Sequence, residues 1–440
     1  MPEPHVPVAP ARYGAGKQSD ACLRESGFSR DVADRRPATT TMPRMSKPSA
    51  FPIEVRGSAR QPLGMPPARF LRDYWQKHPL LIRQAFPGFV PPITPDDLAG
   101  LACEDGALSR LIKHDAARRR WQVKTGPLEE ADFAATGDAN WTLLVQDVDK
   151  WDAEVAKLLE PFAFLPSWRV DDVMISYAEP GGGVGPHVDQ YDVFLIQGLG
   201  RRRWAISTDP AAPRDFRPDV ELKQLVHFSP SHTWVLEPGD VLYLPPDVPH
   251  DGIAVDGPCM TLSVGMRAPS QAELLGDLAD YLAERLPEEK RYADPDLTPA
   301  RAAGEIDRAA LARVRAALPF AAGLDEPTLR DWFGRFITRY RLARQPAPPA
   351  RAYTAVRLGE RLAAGAPLLR HPWTRLAWVR ESPARAMLFA NGLALPCPPA
   401  LAMRLCAERT LRLAEPPTAE TLDVLLALVN EGLLVPGKRR

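Results

Sequence analysis

The sequence predicts an α+β chain: a jelly roll or barrel of short strands, then helices, then a small winged-helix-like module. Three observations carry this. Six short β-like runs (VMISYA at 173–178, DVFLIQG at 192–198, RWAIS at 203–207, TWVLE at 233–237, VLYLP at 241–245 and MTLSVGM at 260–266) are set apart by Gly, Pro and Asp clusters. At Ser270 the period changes to that of a helix: SQAELLGDLADYLAERL offers a capping box from Ser270 to Glu273 and places Leu274, Leu278, Tyr281 and Leu282 on one face. Near the C-terminus a hairpin signal at Asn391-Gly392, a helix from Thr418 to Glu431 stopped by Gly432, and a closing LLV strand fit a winged-helix-like fold.

In chain order, residues 1–50 are rich in Pro, Arg, Ser and Thr without a sustained hydrophobic period. They are expected to be disordered, or to precede a true start at Met42 or Met45. Residues 51–269 form the strand-rich domain. Residues 270–345 form a helical one, with further helical patterns around Ala309–Ala317 and from Pro327 to about Ala343. The Pro-rich RQPAPPA, Arg344 to Ala350, then acts as a linker into a C-terminal domain over 346–440.

Composition excludes several classes. Lys plus Arg is 55 and Asp plus Glu is 55, so no overall field recommends nucleic acid or an anionic membrane as the main partner. The five cysteines are scattered without a CxxC pair, which argues against a disulfide framework or a thiolate zinc site and fits a reducing cytoplasm. No apolar run reaches the ~18 residues of a membrane span, and no signal-peptide core opens the chain.

The chemistry concentrates in GGGVGPHVDQYDVF, residues 181–194. In an extended chain residues i and i+2 share a face, so His187 and Asp189 converge on one spot. An isolated His-x-Asp also arises by chance, and the pair alone is weak evidence. A third residue strengthens it. In LEPGDVLYLPPDVPH, a Pro238-Gly239 turn, a strand and a proline-stiffened arm deliver His250. Two histidines and a carboxylate make the facial triad of non-haem Fe(II) oxygenases, which keeps positions open for cosubstrate and dioxygen. His227 and His232 lack a carboxylate at strand spacing and read as surface or loop residues. GGGVG lacks the Gly-Lys-Ser/Thr of a phosphate loop, and the expectation is a loop that flexes over the site.

Such an iron enzyme needs an electron donor, and 2-oxoglutarate, the commonest, presents a distal carboxylate suited to a forked guanidinium. In GRRRWAIS, Arg202 shares a strand face with the apolar Trp204 and Ile206, so Arg202 is the arginine expected to point inward, with Arg201 and Arg203 solvated. A second RRRW at 118–121 follows no ligand pattern and reads as surface or partner-binding. Alternation from His187 through Asp189 continues to Tyr191, Val193 and Leu195, placing Tyr191 near the pocket; an ordinary core tyrosine is the alternative.

With these residues in hand, DDVMISYAEPGGGVGPHVDQYDVFLIQGLGRRRW, the PGD-strand-PxxxPH segment and SVGMRAP resemble the JmjC-type ribosomal oxygenases of bacteria, from about Phe70 to the C-terminus. The resemblance implies a double-stranded β-helix (cupin-like) core, a helical dimerisation domain and a C-terminal winged-helix domain. It implies Fe(II) on His187, Asp189 and His250, 2-oxoglutarate on Arg202, and dioxygen as co-reactant. It implies hydroxylation of an arginine β-carbon in large-subunit ribosomal protein sixteen, with substrate contacts at Asp172, Met174, Tyr191 and Ser263. Asp172 and Met174 also alternate onto one strand face, a carboxylate for a guanidinium and an apolar wall for its methylenes, unless Asp172 simply caps a loop. A histidine hydroxylase or lysine demethylase on the same iron remains open, as does a ligand-sensing winged-helix protein that binds nucleic acid. The neutral charge speaks against the last. The expected partners are therefore a ribosomal protein substrate and a second copy of the chain, with no nucleic acid and no membrane.

Overall fold

The computed structural model describes residues 51–115, 120–287, 291, 293–295, 308–318 and 324–438. The expectations for residues 1–50, including Met42 and Met45, and for Arg118 and Arg119 of the second RRRW lie outside the described residues. Residues 51–440 form one compact unit.

Twelve strands build the core: β1 (Glu54–Arg56), β2 (Leu80–Arg83), β3 (Ser109–Asp115), β4 (Arg120–Thr125), β5 (Trp141–Val145), β6 (Val170–Ala178), β7 (Val193–Leu199), β8 (Arg202–Ile206), β9 (His232–Leu236), β10 (Val241–Leu244), β11 (His250–Ala254) and β12 (Cys259–Met266). Nine form a major sheet in the order β1-β2-β10-β7-β12-β6-β5-β3-β4, and β11-β8-β9 form a minor one. The six apolar runs of the sequence are β6, β7, β8, β9, β10 and β12. Every residue of β10 and β12 is buried, because central strands covered on both faces read as continuous apolar runs.

The register sorts the two faces. Val173, Ile175, Phe194, Ile196, Val241, Tyr243, Leu262 and Val264 join the large outer core, covered by α1 (Pro67–Asp73), α2 (Pro95–Cys103), α3 (Glu130–Ala134), α4 (Val148–Trp151) and α5 (Ala153–Lys157). Each such side chain contributes roughly 1.5–3 kcal/mol on burial. The alternate residues face the minor sheet: Leu81, Val193, Leu195, Leu242 and Leu244 pack on Trp204, Ile206 and Leu236. At one end this inner face turns polar, with Ser176 of β6 opposite Thr261 of β12, itself opposite Gln197 of β7.

The helical region begins where the capping box placed it: α6 (Gln271–Ala283) is capped by Ser270 and Glu273. Tyr281, with Leu274, Leu278 and Leu282, packs on Trp332 and Phe336 of α8 (Glu326–Arg339), while α7 (Arg308–Ala317) has no buried residue. In the C-terminal region come α9 (Ala355–Ala363), α10 (Pro399–Ala407) and α11 (Ala419–Asn430), with β13 (Leu368–Arg370), β14 (Leu376–Arg380), β15 (Ala386–Ala390), β16 (Leu393–Cys397), β17 (Thr410–Leu411) and β18 (Leu434–Pro436). β15 and β16 form the expected hairpin, with Asn391 and Gly392 both at positive φ. No helix among the described residues is long and apolar enough to cross a membrane.

Asp171 ties these regions together. Its Oδ1 accepts from Arg267 Nε at 3.2 Å and from Arg375 Nη2, on the C-terminal side, at 3.0 Å. Both arginine side chains are 5 % exposed, and burial together with Arg375 lowers Arg267 to about 10. Removing the shared carboxylate strands two buried cations, whereas removing Arg375 leaves one balanced pair. Asp171→Asn is expected to cost about 3 kcal/mol in urea unfolding, and Arg375→Met clearly less. Equal losses would show that the bridge is not the organising contact.

Candidate active site

His187 and His250 meet through their backbones before their side chains. Each donates its N–H to the other's carbonyl, at 3.0 and 2.9 Å, in an isolated antiparallel bridge. Pro249 directs the chain into β11, so His250 opens a strand of the minor sheet while His187 pairs with it from a connecting segment. The strand expected to run from His187 to Leu195 therefore does not form there: β7 starts at Val193. The reason is Asp192. Its fully buried carboxylate accepts from Tyr243 OH at 2.7 Å, Gln76 Nε2 at 2.9 Å and Arg169 at 3.3 Å, and so pins residues 188–192 as a crossover between the sheets.

The backbone is still extended enough that the i, i+2 logic holds for the side chains. His187 Nε2 lies 4.0 Å from Asp189 Oδ1, and His250 Nε2 lies 3.6 Å from Asp189 Oδ2. These three are the one His/Cys/Asp/Glu group among the described residues whose ligand atoms converge, all within 4.8 Å of one another. Each Nδ1–H donates to a backbone carbonyl, His187 to Gly185 at 2.9 Å and His250 to Val248 at 2.8 Å, which fixes the tautomer and leaves both Nε2 lone pairs facing Asp189. Burial, then His187, pushes His250 down to about 4, so it is the neutral imidazole that metals bind. One carboxylate and two imidazoles on one side of a point suit Fe(II) with open positions opposite.

His227 is exposed, and His232 sits in β9 with its Nδ1 2.8 Å from Ser231 Oγ; neither joins the group. Of the second RRRW, Trp121 lies on β4 and stacks on His114 at 4.0 Å. The GGGVG segment serves close approach. Gly181 N–H donates to Ala254, Ala254 N–H donates to Gly182, and a Cβ on Gly183 would stand 2.5 Å from the Gly252 carbonyl. The expected free flap is thus a segment pinned along β11.

Arg202 faces inward and is 3 % exposed, while Arg201 is exposed beside Asp256 and Arg203 is half-buried. Its Nη1 donates to Ser176 Oγ at 3.2 Å and its Nη2 to Gly252 O at 3.1 Å; Nε has no partner. A buried guanidinium with neutral acceptors and an unused donor suits a carboxylate. Ser176 escaped sequence reading, although period two from Met174 points to it.

The remaining candidates line the same face. Met174 of β6 is paired with Ser263 of β12, itself beside Leu195. Tyr191 packs on the inner core, and burial and the neighbouring Asp189 carboxylate raise its phenol. Asp172 lies against Gly265, where a Cβ would come within 3.3 Å of Oδ1, and its Oδ2 accepts from Asp147 N–H at 3.0 Å. Burial, then Asp171 and Asp147, raises Asp172 to about 7. Asp147 itself is raised by burial to about 6 and was not legible in the sequence.

The chain is similar to known proteins over most of its length. Residues 157–274 match the JmjC domain family and 310–435 the ROXA-like winged helix; 224–345 also match the AraC-like ligand binding domain. The ribosomal protein uL16 3-hydroxylase of Escherichia coli (strain K12) is 39 % identical over 370 residues, covering 82 % of this chain and 95 % of the relative. A probable ribosomal oxygenase of Haemophilus influenzae is 38 % identical over 237 residues, 52 % of this chain and 55 % of the relative. The structure of YcfD, a ribosomal oxygenase from Escherichia coli in complex with cobalt and 2-oxoglutarate, superposes with a TM-score of 0.71 at 37 % identity, covering 84 % of this chain and 97 % of that one.

Proposed function

The chain belongs to the JmjC-domain ribosomal oxygenases, and from that membership we propose that it is an Fe(II)- and 2-oxoglutarate-dependent hydroxylase of large-subunit ribosomal protein sixteen, acting on the β-carbon of an arginine. The observation that carries the proposal is the convergence of His187, Asp189 and His250 beside a buried Arg202 with a free donor.

In this reading, residues 51–269 are the catalytic domain, 270–345 the dimerisation helices and 346–440 the winged-helix domain. His187, Asp189 and His250 hold the metal, and Arg202 with Ser176 holds the distal carboxylate of the cosubstrate. Fe(II) with dioxygen and 2-oxoglutarate supplies the oxidant that replaces a C–H by C–OH, the 2-oxo acid leaving as succinate and carbon dioxide. The chain's own residues decide which carbon reacts. Asp172 grips the guanidinium, Met174, Tyr191 and Ser263 wall its methylenes, and the apolar inner core keeps water away.

A homodimer in the cytoplasm completes the proposal. Leu311, Val314 and Leu318 stand exposed at helical spacing on and just beyond α7, a stripe suited to a second copy. The balanced charge gives no nucleic-acid footprint.

The test is intact-mass spectrometry of unmodified ribosomal protein sixteen after incubation with the protein, Fe(II), 2-oxoglutarate and air. One added oxygen, mapped to an arginine and lost with His187→Ala, is the expected result. Succinate formation without that oxygen would overturn the substrate and keep the oxygenase.

A further inference from the structure

β8 and β11 lay out the barrel interior in rows. His250 faces Ile206, Gly252 faces Trp204, and Ala254 faces Arg202. Because alternate residues share a face, the row of the candidate metal ligand and the row of the cation are separated by one other, Gly252 and Trp204. Ile206 and Arg202 are four residues apart on one strand, about 13 Å. A molecule that touches both the triad and Arg202 must run along Trp204.

Trp204 fills that row by itself. A Cβ on Gly252 would lie 2.6 Å from its Cη2 and Cζ3, so the indole occupies the space of both side chains. Its ring is 5.9 Å from the His250 ring, and Arg202 Cζ sits 5.2 Å from the indole centroid. The benzo edge rests on β11, so the pyrrole edge, with Nε1, turns away from that strand. Trp204 is 6 % exposed and Nε1 has no partner; the same holds for Arg202 Nε on the same face of the same strand. Two buried donors without acceptors in two adjacent rows of one strand are costly unless a ligand supplies the oxygens.

We propose that Trp204 determines cosubstrate specificity: its indole walls the middle of the site, and its Nε1–H donates to an oxygen of a bound 2-oxo dicarboxylate of five carbons. The ring leaves room for a slim, unbranched chain and sets its length against Arg202. The inference rests on the 2-oxoglutarate reading given above.

The experiment uses the full chain loaded with Zn(II), a diamagnetic substitute that prevents turnover, with 15N-labelled tryptophan. On titration with 2-oxoglutarate, the Trp204 indole N–H signal, assigned by its loss in Trp204→Phe, is expected to move downfield and exchange more slowly with solvent. By calorimetry Trp204→Phe is expected to bind 2-oxoglutarate about 10-fold more weakly, as for one hydrogen bond to a charged group. It should also lose discrimination against 2-oxoadipate, one methylene longer. An unmoved indole signal, with unchanged affinity for both acids, overturns the assignment. Should the variant fail to fold, the wild-type titration decides, the signal being assigned by its proximity to the His250 ring. Arg202→Met separates the two readings: wild-type 2-oxoglutarate affinity there sinks the cosubstrate site itself, whereas lost affinity with an unmoved indole sinks only the role of Trp204.

Discussion

His250→Ala is expected to abolish hydroxylation and, unlike His187→Ala, to lower folding stability as well. The side chain of His250 is 3 % exposed, against 23 % for His187 and Asp189. Truncating it empties a dry site beside Trp204 and leaves the Val248 carbonyl without its donor, together costing about 2 kcal/mol. At His187 solvent can take the vacated place. The backbone bridge between the two residues survives in both variants, because it uses no side-chain atom. Chemically the two losses are equivalent. Two donors remain of three, and the loss of metal affinity should exceed the roughly 10–100-fold that outer-shell changes cause. Cobalt(II) titration, urea unfolding and the mass of the protein substrate measure the three consequences. Turnover retained in either variant would remove the triad from the mechanism.

What the sequence disclosed follows from how each element is buried. The runs that became β7, β10 and β12 are largely apolar on both faces because the sheet is covered on both, which marks VFLIQGL, VLYL and CMTLSVGM as central strands. β11 carries His, Asp and Gly, and nothing local marks HDGIA as a strand; it is one because β8 pairs with it. β3 is half polar and β4, the edge strand beside it, more so, and both are equally silent. In the site, a two-residue spacing brought His187 and Asp189 together even without a ladder, and the apolar company of Arg202 correctly gave its direction. The break at 188–192 was hidden because it depends on Asp192 reaching Gln76, Tyr243 and Arg169. Trp204 as a wall was hidden for a similar reason: the space it fills belongs to Gly252, a neighbour only through pairing.

Asp171 and Asp172, adjacent and chemically identical, are expected to respond to pH in different ways, and Asp172 is the one that should govern substrate binding. Asp171 is held by Arg267 and Arg375, and Asp149 by Lys150. Asp172 faces these carboxylates and that of Asp147 with one backbone N–H for support, and burial raises it to about 7. In the free protein below that value it is therefore neutral and cannot pair with a guanidinium. An arginine substrate favours the ionised form, so KM for the protein substrate should be flat above about pH 7 and rise up to 10-fold per unit below it. Stability runs the opposite way. A carboxylate with a raised folded-state value contributes stability that is complete below its unfolded value of about 4 and is lost as pH climbs through about 7. From pH 5 to pH 8 this group alone removes a few kcal/mol. Asp172→Asn keeps the acceptor for Asp147 N–H and deletes the charge. It should flatten both curves, raise KM at pH 8 by at least 10-fold, and make the variant more stable than the wild type at pH 8, by a margin that shrinks by a few kcal/mol on going to pH 5. A KM profile that bends near pH 7 in both proteins would place the titration elsewhere and leave Asp172 with a structural role at the start of β6.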